Sequence, residues 1–239
     1  GTCAITASQS GGTISGTTYS AATPVIQNLV ISPATLTITA TVTSSSVQYG
    51  GTAATKGYTL SGLQYSDSIT ANTLTFTGTG SYNSLTAPTS AGSYTLTASN
   101  PVFGTGSADN YTISYVNASY TITQKTLTIT SSSHSVTTGD AVPTITATYN
   151  AFAGSESVSD LTGPQTCSTT YTTSSTAGSY PTSCSGYTSS NYAISYVNGS
   201  VTATASSPTL YTITYTLNGG TGTTPTETDK AGGTSFNLA

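Results

Sequence analysis

Residues 110–123 read NYTISYVNASYTIT and residues 191–204 read NYAISYVNGSVTAT, so one strand-like phrase returns after 81 residues (191 − 110). Side chains within the phrase alternate at period 2, the spacing of a half-buried strand, and nothing in the chain runs at the 3.6 period of a helix. A unit of that length is a small β-domain copied along a line, since solenoid coils repeat every 20 to 50 residues or so. Chains built this way span distance. The first expectation is therefore a mechanical or adhesive role, and catalysis has to be demonstrated against it.

Composition narrows the classes further. Charged residues make up 4% of the 239, against about 25% in ordinary globular domains. Thr and Ser fill about two-fifths of the positions, and Thr and Tyr suit a pleated, half-buried surface. Disorder is disfavoured because the 17 Tyr, the 4 Phe and many Val, Ile and Leu fall at strand spacing and give each strand an apolar face to bury. A net charge of −4 without a single Arg leaves nothing to neutralise phosphates, so neither nucleic acid nor an anionic membrane surface is an expected partner. No apolar run approaches the roughly 20 residues of a membrane-spanning helix. The N-terminus GTCAITASQS lacks the basic and apolar regions of a secretion signal, so a mature or excerpted chain is expected.

Cysteine placement points to an oxidising compartment. Cys167 and Cys184, Thr169 and Thr182, and Tyr171 and Tyr180 are each symmetric about Ser175 and Thr176. A hairpin centred there sets all three pairs opposite one another on one face. The spacing predicts a Cys167–Cys184 disulfide, worth about 3 kcal/mol for a loop of this size in the chain-entropy picture. Cys3 is left unpaired, or available for an intermolecular bond.

Two longer segments carry a family resemblance. Residues 35–39 read TLTIT and residues 126–130 repeat it; residues 91–94 and 177–180 both read AGSY; the NY…YVN phrase closes each copy. Both copies resemble the MBG family of bacterial surface repeats, the second more closely. The first is longer by ten residues, with NPVFGTGSAD before Asn110 where GYTSS stands before Asn191. In the first copy Ser81 and Ala98 are expected at the positions of Cys167 and Cys184, which makes the disulfide a local reinforcement. At the N-terminus, Gly1, Thr2, Cys3, Ile5, Thr6, Ala7, Tyr19, Ala21, Ala22, Pro24 and Val25 resemble the closing part of a bacterial immunoglobulin-like repeat. Residues 211–220 (YTITYTLNGG) and 233–238 (GTSFNL) resemble the opening of an internalin-type B repeat. The expected organisation is all-β: tandem immunoglobulin-like β-sandwich domains in a linear array. Residues 1–32 end an immunoglobulin-like domain, 33–123 and 124–206 are two MBG-like repeats, and 207–239 begin a B repeat.

Few residues are candidates for chemistry. His134 is the sole histidine, so no His-based triad or multi-histidine metal site can form within the chain; a solvated loop residue is expected. Glu156 and Asp160 are the best-spaced carboxylates for an acid–base pair, but the surrounding FAGSESVSD reads as an exposed loop without the acid density of a calcium site. Tyr111, Ile113 and Tyr115, like Tyr192, Ile194 and Tyr196, share a strand face and are expected to fill the core in preference to binding sugar rings. Asn110, Asn117 and Asn198 head glycosylation sequons. Lys125, Asn198 and Glu156 or Asp160 form a candidate set for an intramolecular Lys–Asn amide bond, with ordinary solvated lysines the favoured reading. No catalytic residue, metal or cofactor is expected. The implied function is an extracellular, cell-surface structural role, as the body of a filament or the stalk of an adhesin. The alternative is a set of accessory or carbohydrate-binding repeats of a secreted enzyme. Expected partners are further copies or neighbouring repeats of the same long chain, with a surface glycan as a third.

Overall fold

A computed structural model of the chain describes residues 1–214, 219–223 and 226–232. The architecture is all-β, with no α-helix among the described residues. It divides into two compact units between Lys125 and Thr126.

The first unit opens with a two-stranded ribbon. Strands β1 (Thr2–Gln9) and β4 (Ala22–Val30) pair antiparallel, and β2 (Gly12–Ile14) and β3 (Thr17–Tyr19) continue the hairpin to its tip. Cys3 faces Leu29 and Ala7 faces Val25 across the ladder, so one side of the ribbon is largely apolar. Every ribbon residue is nevertheless exposed. Residues 1–31 also carry no charged side chain to discourage further strand pairing.

Eight strands follow: β5 (Ala34–Val42), β6 (Ser46–Gln48), β7 (Lys56–Ser61), β8 (Ser68–Gly78), β9 (Tyr82–Ser84), β10 (Gly92–Thr105), β11 (Tyr111–Val116) and β12 (Ala118–Thr123). They form two sheets, ordered β11-β5-β7 and β6-β12-β10-β8-β9. Alternation decides what each side of a strand does. Leu36, Ile38 and Ala40 of β5 turn inward, onto Leu74 and Phe76 of β8, Leu96 and Ala98 of β10, and Tyr120 and Ile122 of β12. Phe76 and Tyr120 meet at 5.7 Å between ring centroids. On the outer face Thr75 opposes Thr97 and Thr77 opposes Thr95. This accounts for the hydroxyl-rich, charge-poor composition: β-branched Thr pairs cover the solvent side where other sheets use Lys and Glu.

The second unit holds β13 (Lys125–Ser131), β14 (His134–Thr137), β15 (Ala147–Asn150), β16 (Thr166–Thr169), β17 (Gly178–Ser185), β18 (Tyr192–Val197) and β19 (Gly199–Thr204). Its sheets are β15-β13-β18 and β14-β19-β17-β16. Strand for strand this is the order of the first sandwich without β9. Leu127, Ile129, Tyr171 and Val201 are at most 1% exposed. Two polar residues join them inside. Ser131 Oγ donates to the Thr182 carbonyl at 3.0 Å and accepts from Gly199 N at 2.8 Å, while Thr182 Oγ1 donates to the Ser132 carbonyl at 2.9 Å. Each hydroxyl is thus satisfied, as burial requires. Gly199 is needed for this approach, because a Cβ there would stand 2.6 Å from the Ser131 carbonyl oxygen. After β19, β20 (Leu210–Thr214) and β21 (Thr226–Ala231) pair antiparallel. The expected B-repeat signature falls largely on residues 215–218 and 233–238, outside the described residues.

Three details differ from the sequence reading. His134 does not sit in a loop: it begins β14, paired parallel to β19, and its Nε2 lies 2.8 Å from Ser132 Oγ. The neighbouring serines masked a short strand whose only apolar residue is Val136. Ala98 is the counterpart of Cys184, but its ladder partner is Leu74 and not Ser81. Leu74 and Ala98 are 24 residues apart (98 − 74) where Cys167 and Cys184 are 17 apart (184 − 167), and the seven extra residues, in the segment that carries β9, displace a simple count. Finally, Tyr111 and Tyr192 are buried whereas Tyr115, at the far end of β11, is 42% exposed.

Two cores in two units imply two separable unfolding events. Leu127→Ala should destabilise the second unit by about 2–5 kcal/mol, the usual cost of Leu→Ala in a core. Calorimetry should show one transition moving down while the other keeps its temperature; a shift of both by the same amount would mean the units unfold together.

Candidate functional site

The two sandwiches share a lock built around the tyrosine that opens the repeated phrase. In the first, the Tyr111 hydroxyl accepts from Gln64 N at 2.9 Å and donates to Asp67 Oδ2 at 2.7 Å. In the second, the Tyr192 hydroxyl accepts from Ala153 N at 2.7 Å and donates to Glu156 Oε2 in a short hydrogen bond. The loops they hold carry the same turn, Asp67 N to the Gln64 carbonyl and Glu156 N to the Ala153 carbonyl, both at 3.0 Å. A strand tyrosine thereby ties down the loop that crosses between sheets, its ring in the core and its hydroxyl on backbone and carboxylate.

This geometry decides what the carboxylates do. Glu156 is committed to Tyr192. Asp160 closes its own single turn, accepting from Ser157 N at 2.8 Å in a capping box over Val158–Asp160. The structure gives each a separate structural task and does not present them as an acid–base pair. Asp140 caps the next loop in the same manner, accepting from Thr137 N at 2.7 Å. Among the described residues no three His, Cys, Asp or Glu side chains gather as metal ligands.

The Lys–Asn amide set does not assemble. Gly199 N lies on Ser131 Oγ at 2.8 Å, which places Asn198 near the far end of β13, six residues from Lys125 (131 − 125). That is roughly 20 Å at strand rise. Lys56 instead spans the two sheets of the first sandwich, donating to the Leu74 carbonyl at 3.1 Å and to the Leu85 carbonyl.

Cys167 and Cys184 form a disulfide across directly opposed positions of β16 and β17, with Cα atoms 4.1 Å apart. Beyond it Thr169 faces Thr182, and the Tyr171 and Tyr180 rings meet edge-on at 5.6 Å. The bond ties the edge strand β16 to its neighbour. In the first sandwich the same place is filled by Leu74 and Ala98, so apolar packing does there what a covalent bond does here. Cys3 is a free, exposed thiol on the N-terminal ribbon. The sequon residues Asn110, Asn117 and Asn198 are all exposed; Asn117 and Asn198 occupy equivalent one-residue crossings, from β11 to β12 and from β18 to β19.

Sequence reading missed the locks. Their signal was present in the double occurrence of a carboxylate four residues after an apolar loop residue (Leu63 to Asp67, Phe152 to Glu156) together with the NY dipeptide.

Burial, and then the hydrogen bond to the facing carboxylate, hold the Tyr111 and Tyr192 phenols above the ordinary value of 10.0. A raised native value means that these locks stabilise the fold fully below pH about 10 and lose that contribution as pH climbs through the native value. Tyr192→Phe should cost about 1–3 kcal/mol, because the buried Ala153 amide loses its acceptor, and Tyr111→Phe should cost less, because the Gln64 amide is only half-buried. Denaturation measured across the alkaline range should also show a shallower pH dependence in the double variant than in the parent. Equal slopes would remove the locks as the source.

Residues 127–202 match the MBG domain (YGX type) family. MBG repeats are typical of bacterial surface proteins and are structural domains without known enzymatic activity. No curated protein and no solved structure matches the chain.

Proposed function

We propose that the chain is a non-catalytic, load-bearing segment of an extracellular surface structure, the body of a filament or the stalk of an adhesin. The observation that carries this is how each sandwich joins its two ends. The opening strand of the first, β5, continues into β6, which runs parallel to the closing strand β12. Tyr49 N to the Thr123 carbonyl at 2.8 Å and Thr121 N to the Ser45 carbonyl at 2.9 Å extend the contact. In the second, β14 runs parallel to β19, and Thr138 N donates to the Thr204 carbonyl at 2.8 Å. Tension applied at the two ends of either sandwich draws a parallel pair past one another, so its hydrogen bonds resist together and not one at a time as in an unzipping hairpin.

Further features support the reading. The first sandwich repeats the strand order of the second, carries the same tyrosine lock, and has Tyr49-Gly50-Gly51 where the second has Thr138-Gly139-Asp140. It is read as a second MBG-like repeat. The disulfide suits an oxidising exterior. The flanking ribbon is read as the closing strands of an immunoglobulin-like domain and residues 207–239 as the start of a B repeat. Two strands alone are marginally stable in water, and an uncharged apolar edge accepts further strands. Neighbouring repeats or a second copy, with residues 207–239 as donor, would cover it by strand addition.

Antibodies raised against residues 34–204 should decorate intact cells of the source organism, and external protease should remove the label. Cross-linking of released material should give a ladder of multimers that shortens when residues 207–239 are deleted. Labelling only after permeabilisation would contradict the surface reading, and an unchanged ladder would contradict strand donation from that end.

A further inference from the structure

A cavity of about 460 Å³ opens in the first unit, where residues 31–34 lead from the ribbon into the first sandwich. Its size lies within the roughly 300–1,000 Å³ of small-ligand sites. Beside Gly1 and residues 31–34, the sandwich contributes Gln64, Tyr65, Asp67, Asp109, Asn110 and Tyr111 to its lining. Two of these depart from the second sandwich in ways that the fold does not require.

The first is Tyr65. It follows the amide that the Tyr111 hydroxyl holds, and its counterpart in the second lock is Gly154. The backbone is the same in both, with φ of +51° at Tyr65 and +54° at Gly154. Glycine is at ease in the left-handed region and an aromatic residue is not. The strain brings no packing in return, since the Tyr65 side chain is as exposed as in an extended peptide, at 105%. A strained residue that contributes nothing to the core is where an outside contact should be sought.

The second is Asp109. It belongs to the segment NPVFGTGSAD, five residues longer than its counterpart GYTSS, and it reaches the rim on a single turn over Ala108–Asn110 whose start is capped by the Ser107 side chain. The second sandwich has no carboxylate there. Asp67, which also lines the cavity, accepts the Tyr111 hydroxyl on Oδ2 at 2.7 Å and keeps further lone pairs for a second donor. Gln64 and Asn110 add carboxamides, which both donate and accept. No cationic side chain lines the site; the Gly1 ammonium at its edge donates to the Ile31 carbonyl at 2.8 Å.

An open aromatic face beside hydrogen-bond acceptors, with two carboxamides and no cationic side chain, is the chemistry that recognises a neutral sugar. The C–H face of a pyranose stacks on the tyrosine, and its vicinal hydroxyls donate to the carboxylates in charge-assisted bonds. Sialylated or phosphorylated groups would meet like charge instead. We propose that this cavity binds neutral hexopyranose units of a glycan, with Tyr65 as the stacking platform and Asp67 and Asp109 as hydroxyl acceptors. The site lies in the first unit, and it is independent of whether the chain carries load.

The test is a titration of the full chain, by calorimetry, with maltohexaose, cellohexaose, mannohexaose and galactohexaose in turn, and with sialyllactose and calcium chloride as controls. Saturable binding of at least one neutral hexaose is expected, and none of sialyllactose. Tyr65→Gly should weaken that binding about tenfold or more, as for loss of an aromatic anchor, while its melting temperature stays level or rises because glycine relieves the strain. Tyr65→Phe should keep affinity within about threefold, and Asp109→Asn should weaken it less than Tyr65→Gly does. Four results would overturn the proposal: no neutral hexaose binding, binding indifferent to Tyr65→Gly, a Tyr65→Gly variant that loses binding together with thermal stability, or a site that takes calcium and no sugar.

Discussion

The parallel pairing of opening and closing strands is the constraint on which each sandwich depends. It can form only when the entire intervening chain has folded, because the paired residues stand some 75 positions apart, as with Ser46 and Thr121 in the first copy and His134 and Val201 (67 positions) in the second. Long-range contacts of this kind are slow to form, and once formed they join the two ends of the unit directly. A domain whose ends are bonded to one another transmits tension through that contact, and the rest of the sandwich serves to hold the contact in register.

The locks and the disulfide are two ways of holding it. Tyr111 and Tyr192 fix the crossing loop to the strand that precedes the closing one, using one hydroxyl as acceptor and donor at once. The disulfide fixes the outermost strand of the second sandwich, which at four residues is too short to depend on its ladder alone. The first sandwich has an eleven-residue β8 and a further strand β9 at that edge, and it dispenses with the bond. Low charge belongs to the same scheme: hydroxyls of Thr and Ser cover the sheets, and most of the seven carboxylates of the chain that the structure describes close turns or locks, as Asp67, Asp140, Glu156 and Asp160 do.

Much of this architecture was legible because strand periodicity is local. The alternation in TLTIT and NYxISYVN gives both the strand and its buried face, and symmetric spacing about Ser175 and Thr176 gives the hairpin register. What is not local was lost. His134 reads as loop because its ladder with the distant strand β19, and not its own sequence, recruits it into β14. Ser81 reads as the counterpart of Cys167 because the longer connection from β8 to β10, which holds β9, moves the register without changing the pattern on either side. The Tyr–carboxylate locks join residues 36 and 44 positions apart, beyond the reach of periodicity. Tyr65 reads as one aromatic among many until its backbone is set beside Gly154.

Stretching single molecules between attachment points at residues 33 and 205 tests the load-bearing claim most directly, since forced unfolding reads the unfolding barrier along the pulling direction. The account predicts two separate high-force events, the first releasing about 30 nm of chain, at roughly 3.5 Å per residue. The second should grow by about 5–6 nm when a reductant frees the residues between Cys167 and Cys184. Extension at low force without resolved events, or a second event of the same length with and without reductant, would contradict it.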